Sequence, residues 1–213
     1  MINPEVSMLI DTPYPVAVWD NAFDADTVDH LVRNFPIHMM RDFSAYRGGK
    51  KTHLNRNHPE FQAFLNSDSL YGLVLRESAL LSVGQEIAKQ IFGLDIEFRD
   101  CKAELSALPA GGGLLPHPDG PEKVMTAILY LTPDDWHQSW GGEFEVCRHL
   151  TNQKGNFAGM HVPWEEVETL AAIPYRAGRV IAFLRRPYSL HGVRNVRCPP
   201  GRTRNSITIN WIA

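Results

Sequence analysis

Two hydrophobic periodicities divide the chain near residue 95. Before that point apolar residues recur at helical spacing; after it they alternate at strand spacing. Asp24 or Asp26 is placed to cap a helix running to about Phe35. Val28, Leu31, Val32 and Phe35 form its apolar stripe, and Pro36 stops it. Helical spacing returns from about Pro59 to Asn66 and from Ser69 to Phe92, with Gly93 as a suitable terminator. Ahead of these helices, Thr12 to Asp20 reads as a proline-entered edge strand. Residues 41–60 between them are polar and basic and read as a loop.

From Ile96 the pattern is one of short strands. Glu97 to Leu105 alternates, Gly111 to Gly113 interrupts, and Leu114-Leu115 leads into His117. Val124 to Thr132 is a β-rich run. Trp140 to Val146 is a turn followed by a strand, and Gly178–Leu184, His191–Val193 and Asn205–Trp211 complete the set. Residues 148–172 form a long polar insert with room for a short helix near Trp164–Leu170, and loops of that length are usually functional. Short strands after a helical first part predict a mainly β fold with N-terminal helices (α+β), a β-sandwich or jelly roll. One domain over residues 1–213 is expected, with 1–95 as largely helical support and lid and 96–213 as the core.

Composition narrows the class. A hydrophobic fraction of 44% and a charged fraction of 21% are ordinary for a globular domain. A net charge of −3 argues against nucleic-acid or membrane-surface partners. Cys101, Cys147 and Cys198 show no C-x-x-C spacing, so neither a disulfide framework nor a thiolate zinc site is expected. The first residues carry no basic n-region or long apolar run and no stretch has membrane-spanning length, so no signal peptide and a cytoplasmic location are expected. Charge is uneven, however. After Glu168 there is no Asp or Glu, yet eight arginines lie between Arg176 and Arg204. One or two of them are expected to hold an anion in a pocket, because guanidinium suits bidentate carboxylate binding.

The candidate chemistry centres on His117-Pro118-Asp119. Residues two apart on an extended strand point the same way. Pro118 pushes His117 toward extended geometry. His191 could then complete one face of a metal ion, giving the two-imidazole, one-carboxylate facial set of non-haem iron oxygenases. The spacing alone is weak evidence and leaves open a zinc site, or a surface turn with a core histidine. On the last strand, Arg202 and Arg204 share parity with Ser206, Thr208 and Asn210, while Ile207, Ile209 and Trp211 face the other way. That polar row suits a buried carboxylate ligand. Tyr130 carries a hydroxyl that needs a partner if buried. His137, His149 and His161 read as surface residues.

Residues 98–212 resemble the prolyl 4-hydroxylase-like branch of the Fe(II)/2-oxoglutarate-dependent oxygenases. His117-Pro-Asp119 is similar to the family's H-x-D pair, and Thr126 to Thr132 to the strand that follows it. Trp140-Gly-Gly-Glu-Phe144 matches the GGE turn, Ala177 to Phe183 the next strand, His191-Gly-Val193 the distal H-x-V, and Gly201 to Thr208 the G-x-R-x-S-I-T strand. Six elements in order are specific where each alone is common. The resemblance implies a double-stranded β-helix (a cupin-like jelly roll), with Fe(II) on His117, Asp119 and His191. It implies 2-oxoglutarate held by Arg204, with Arg202 as the alternative by spacing from His191, and with Tyr130, Thr208 and Ser206 nearby. O2 is the co-reactant, ascorbate a candidate reductant, and succinate and CO2 the co-products. A carboxylate at Asp119 favours hydroxylation over halogenation. Many relatives carry a tyrosine where this chain has Ala107-Leu108-Pro109, so a peptidyl-proline substrate does not carry over.

The substrate is less defined. Arg47, His53 and Arg56, in the basic segment, are the candidate lid contacts, and a small anionic or amino-acid-like molecule is expected. The alternatives are a protein or peptide side chain, a cupin-type metal hydrolase or isomerase, and a non-catalytic binding jelly roll.

Overall fold

Residues 5–42 and 50–213 are described in the computed structural model. The first segment supplies β1 (Met8–Ile10), β2 (Val16–Trp19), α1 (Ala25–Arg33) and β3 (Arg41–Asp42). Then follow β4 (Thr52–Asn55), α2 (Pro59–Ser67), α3 (Ser69–Val74) and α4 (Glu77–Gln90). The remainder is β5 (Asp100–Pro109), β6 (Leu114–His117), β7 (Lys123–Tyr130), β8 (Phe144–His149), β9 (Val167–Ile173), β10 (Val180–Leu184), β11 (His191–Val193) and β12 (Thr203–Ile212). All strand pairs are antiparallel. A large sheet runs β1-β2-β10-β7-β12-β5-β4-β3 and a smaller one β6-β11-β8-β9. Two facing antiparallel sheets of this kind form the double-stranded β-helix.

The helices form where local chemistry favours them. Asp24 caps α1 by accepting from the Thr27 amide at 2.8 Å, and Val28 and Leu31 turn inward. Pro59 opens α2. Asp68 ends α2 and caps α3, accepting from the Leu70 and Tyr71 amides. The stretch 69–92 is therefore two helices, broken at Leu75-Arg76, rather than one.

Alternation then decides what each strand faces. On β12, Ile207, Ile209 and Trp211 join the apolar layer beneath the helices. Trp211 is 1% exposed and donates its indole N–H to the Leu80 carbonyl of α4 at 2.8 Å. A Cβ on Gly84 would lie 2.1 Å from the Trp211 indole nitrogen, so α4 can pack this closely only with glycine there. On β10, Val180, Ala182 and Leu184 face the helices, while Ile181 and Phe183 face the smaller sheet.

Three expectations are corrected. Residues 41–60 are not all loop, because β3 and β4 extend the large sheet beside β5. Strands β1 to β4 and helices α1 to α4 all come from the first 95 residues. The insert 148–172 holds strand β9, paired with β8, and only a single 3-10 turn at Trp164–Glu166. Finally, β2 is not an edge, since β1 covers one side and β10 the other.

Candidate metal and cosubstrate site

Between the two sheets lies a cavity of about 440 Å³. His117 ends β6 and pairs in register with His191 at the start of β11, so the two imidazoles lie 4.7 Å apart between centroids. Asp119 follows two residues after His117. Donor atoms of these three side chains all lie within 4.8 Å of one another, and among the described residues they are the group able to hold a metal ion.

The imidazoles are oriented from behind. His117 Nδ1 lies 2.7 Å from the Leu115 carbonyl and His191 Nδ1 lies 2.9 Å from the Ser189 carbonyl. A carbonyl only accepts, so each Nδ1 carries the hydrogen and each Nε2 lone pair is left for the site. Burial and the neighbouring His191 push the His117 pKa down to about 3, and burial lowers that of His191 too. Both therefore stay in the neutral, ligating form. Phe144 and Phe183 pack against the His191 ring, at 5.2 and 4.5 Å between centroids.

Asp119 is 7% exposed. Burial alone would raise its pKa, but the Lys123 ammonium, by charge and by hydrogen bond, outweighs that and holds it well below the usual carboxylate range. Lys123 Nζ lies 2.8 Å from Asp119 Oδ1, and the Thr126 hydroxyl donates to Oδ2. The Asn210 side chain of β12 lies 3.0 Å from that hydroxyl, so β7 and β12 together fix the carboxylate.

At another part of the cavity wall, Arg204 is 3% exposed. Its Nε donates to the Gly142 carbonyl at 2.7 Å, and Nη1 approaches the Ser206 hydroxyl at 3.4 Å. The glycine pair explains the first contact. Gly141 and Gly142 have φ of 81° and 101°, a turn that L side chains rarely adopt, and it brings the carbonyl to the guanidinium. The Arg204 guanidinium stands 4.8 Å from the Tyr130 ring centroid and 5.1 Å from that of Tyr175. Among the described residues no carboxylate pairs with it, and the buried Tyr130 hydroxyl has no hydrogen-bond partner. Burial raises the Tyr130 pKa, so it stays a neutral donor. A buried unpaired guanidinium beside an unsatisfied hydroxyl is costly unless an anion completes it. A carboxylate end of 2-oxoglutarate fits that requirement.

Of the sequence candidates, His117, Asp119, His191, Arg204, Ser206 and Thr208 all line the one cavity. Arg202 does not: it precedes β12 and pairs with Asp135 at the surface. Arg56 is also outside the site, in a bidentate pair with Asp100 beside α2 and α4. His53 lies on β4 with its Nδ1 3.0 Å from Glu104 rather than on a lid. Arg47 falls outside the described residues. His161 was expected at the surface; it is exposed, but it lines the cavity and stacks on His117 at 5.2 Å. Sequence reasoning also missed Lys51, Glu104 and Lys123. Glu104 and Ser106 share the parity of Leu108 on β5, a signal that would have placed them on the cavity face.

The sequence profile of the 2OG-Fe(II) oxygenase superfamily matches residues 103–212, just over half the chain. The chain belongs to that superfamily, whose enzymes use Fe(II), 2-oxoglutarate and O2. No curated protein sequence matches it. Solved structures share the fold. A prolyl-4-hydroxylase from Pseudomonas putida is 17% identical over 94% of this chain and 93% of its own, with a TM-score of 0.63. A Trichoplax adhaerens prolyl hydroxylase in complex with a hypoxia inducible factor peptide fragment is 17% identical over 92% and 83%, with a TM-score of 0.55. HygX from Streptomyces hygroscopicus, with nickel and 2-oxoglutarate bound, is 12% identical over 92% and 82%, with a TM-score of 0.58.

Proposed function

We propose that His117, Asp119 and His191 hold Fe(II), and that Arg204, with Tyr130, Ser206 and Thr208, holds the far carboxylate of 2-oxoglutarate. On this reading the protein hydroxylates an unactivated C–H bond of a small, anionic or amino-acid-like molecule. The observation that carries it is the buried, uncompensated Arg204 in the same cavity as the His-Asp-His set. A metal hydrolase or isomerase has no need of that second anion site.

Iron and 2-oxoglutarate supply the oxidising power, with release of succinate and CO2. The chain supplies position. The Leu115 and Ser189 carbonyls fix both imidazoles, and Thr126 with Asn210 fixes Asp119. Arg204 and Tyr130 set the direction of the cosubstrate across the inner sheet face. Phe144 and Phe183 keep water from the His191 side. Three buried free cysteines suit a reducing compartment, and we place the enzyme in the cytoplasm. No helix among the described residues is long and apolar enough to cross a membrane.

A cavity of this volume is of small-molecule size. The second reading is a peptide side chain, favoured by the fold shared with the peptide-bound Trichoplax enzyme. A screen of amino acids, other small acids and peptides for substrate-stimulated succinate release tests both. Stimulation by a small acid supports the first reading. Stimulation by peptides alone overturns it in favour of the second.

A further inference from the structure

The charges around the cavity do not balance once iron and cosubstrate are counted. Among the described residues lining it, Lys51, Lys123 and Arg204 are cations, and Glu104 and Asp119 are carboxylates. Fe(II) brings two positive charges and 2-oxoglutarate two negative ones, which cancel. One positive charge remains in a partly buried space, where uncompensated charge is costly.

Its location follows from the contacts. Lys51 is matched, with Nζ 2.6 Å from Glu104 Oε1. Glu104 also accepts from Ser106 and Asn55 and lies 3.0 Å from His53, so its acceptor positions are filled. Arg204 is matched by the far carboxylate of the cosubstrate. Lys123 is different. Its Nζ partner is Asp119, the carboxylate that iron would claim. Asp119 and the metal-binding carboxylate of 2-oxoglutarate together balance Fe(II), which leaves Lys123 without a counter-charge. Its side chain is 21% exposed, lines the cavity, and has N–H groups beyond the one on Asp119.

Resting on the iron and 2-oxoglutarate reading, we infer that Lys123 anchors a single carboxylate on the substrate beside the metal. Among the described residues the lining offers no matching group for an ammonium, because Glu104 is saturated and Asp119 faces the metal site. A phosphate dianion would overshoot the balance. The preferred substrate is thus a small monocarboxylic acid, recognised by its charge next to the oxidised C–H.

Two measurements on the full chain test this. The first is Mn(II) titration of metal-free wild type, Lys123→Met and Lys123→Arg. Removing a cation beside the metal should tighten Mn(II) binding severalfold in Lys123→Met, with Lys123→Arg staying near wild type. Weaker binding in Lys123→Met would show that the lysine merely positions Asp119, and would overturn the inference. The second is Fe(II)-dependent succinate release with the L-amino acids, their N-acetyl forms and 2-hydroxy acids, each paired with its primary amide. At least one acid should stimulate release and its amide should not. Lys123→Met should raise KM for that acid at least tenfold more than KM for 2-oxoglutarate, with Lys123→Arg restoring part of the loss. Equal stimulation by acid and amide, or by no acid, overturns the inference alone. No Fe(II)-dependent succinate formation at all, with or without added compounds, overturns the iron reading with it.

Discussion

The two faces of β12 carry opposite chemistries within ten residues. Toward the helices, Ile207, Ile209 and Trp211 are apolar, and Trp211 meets α4 across a glycine. Toward the smaller sheet, Arg204, Ser206, Thr208 and Asn210 form a polar row in a cavity. The first face gains stability from area removed from water. The second forgoes that gain, and it buries a guanidinium with no carboxylate partner among the described residues, beside the unpartnered Tyr130 hydroxyl of β7. A strand that spends one face this way marks where binding, rather than folding, has shaped the sequence.

That contrast can be broken by substitution. The largest effect expected is on Asp119→Ala, which should abolish 2-oxoglutarate turnover while far-ultraviolet circular dichroism keeps its wild-type shape; retained turnover would detach the cavity face from catalysis. Next comes the apolar face. Trp211→Ala should cost about 3–5 kcal/mol of stability by chemical denaturation, as a large buried aromatic does. On the polar face, Arg204→Met should raise KM for 2-oxoglutarate by roughly 30- to 150-fold, the equivalent of about 2–3 kcal/mol in charged hydrogen bonds. Tyr130→Phe should raise it only about fivefold, one hydrogen bond of about 1 kcal/mol, without loss of stability, because the hydroxyl is unpartnered in the free protein. The smallest effect belongs to Arg202→Ala. Its exposed pair with Asp135 should be worth within about 0.5 kcal/mol, with KM for 2-oxoglutarate unchanged.

The β12 row was legible in the sequence because alternation is local: parity alone placed Arg204, Ser206 and Thr208 together. The His117-x-Asp119 pair was legible as a short motif, although β6 ends at His117 and Asp119 lies just beyond the strand, and the later strands were bounded by glycines and prolines. Other features depend on partners distant in sequence. Strand β4 reads as polar loop because His53 and Asn55 contact Glu104 in the neighbouring strand instead of packing on apolar residues. Strand β9 alternates weakly, with Leu170 exposed, and is held by β8. Arg202 and Arg204 have the same parity but different fates, because β12 begins only at Thr203. His161 has no local signal, since only the approach of its loop to His117 places it at the cavity.

The central claim is that one cavity holds Fe(II) on His117, Asp119 and His191 and 2-oxoglutarate between that ion and Arg204. Anaerobic addition of Fe(II) and 2-oxoglutarate to the metal-free protein tests it most directly, through the visible charge-transfer absorption of a 2-keto acid chelated to Fe(II). The account predicts a saturable band with one equivalent of iron, absent in His191→Ala and shifted to much higher 2-oxoglutarate concentration in Arg204→Met. Absence of the band in wild type, or its persistence unchanged in both variants, would contradict it.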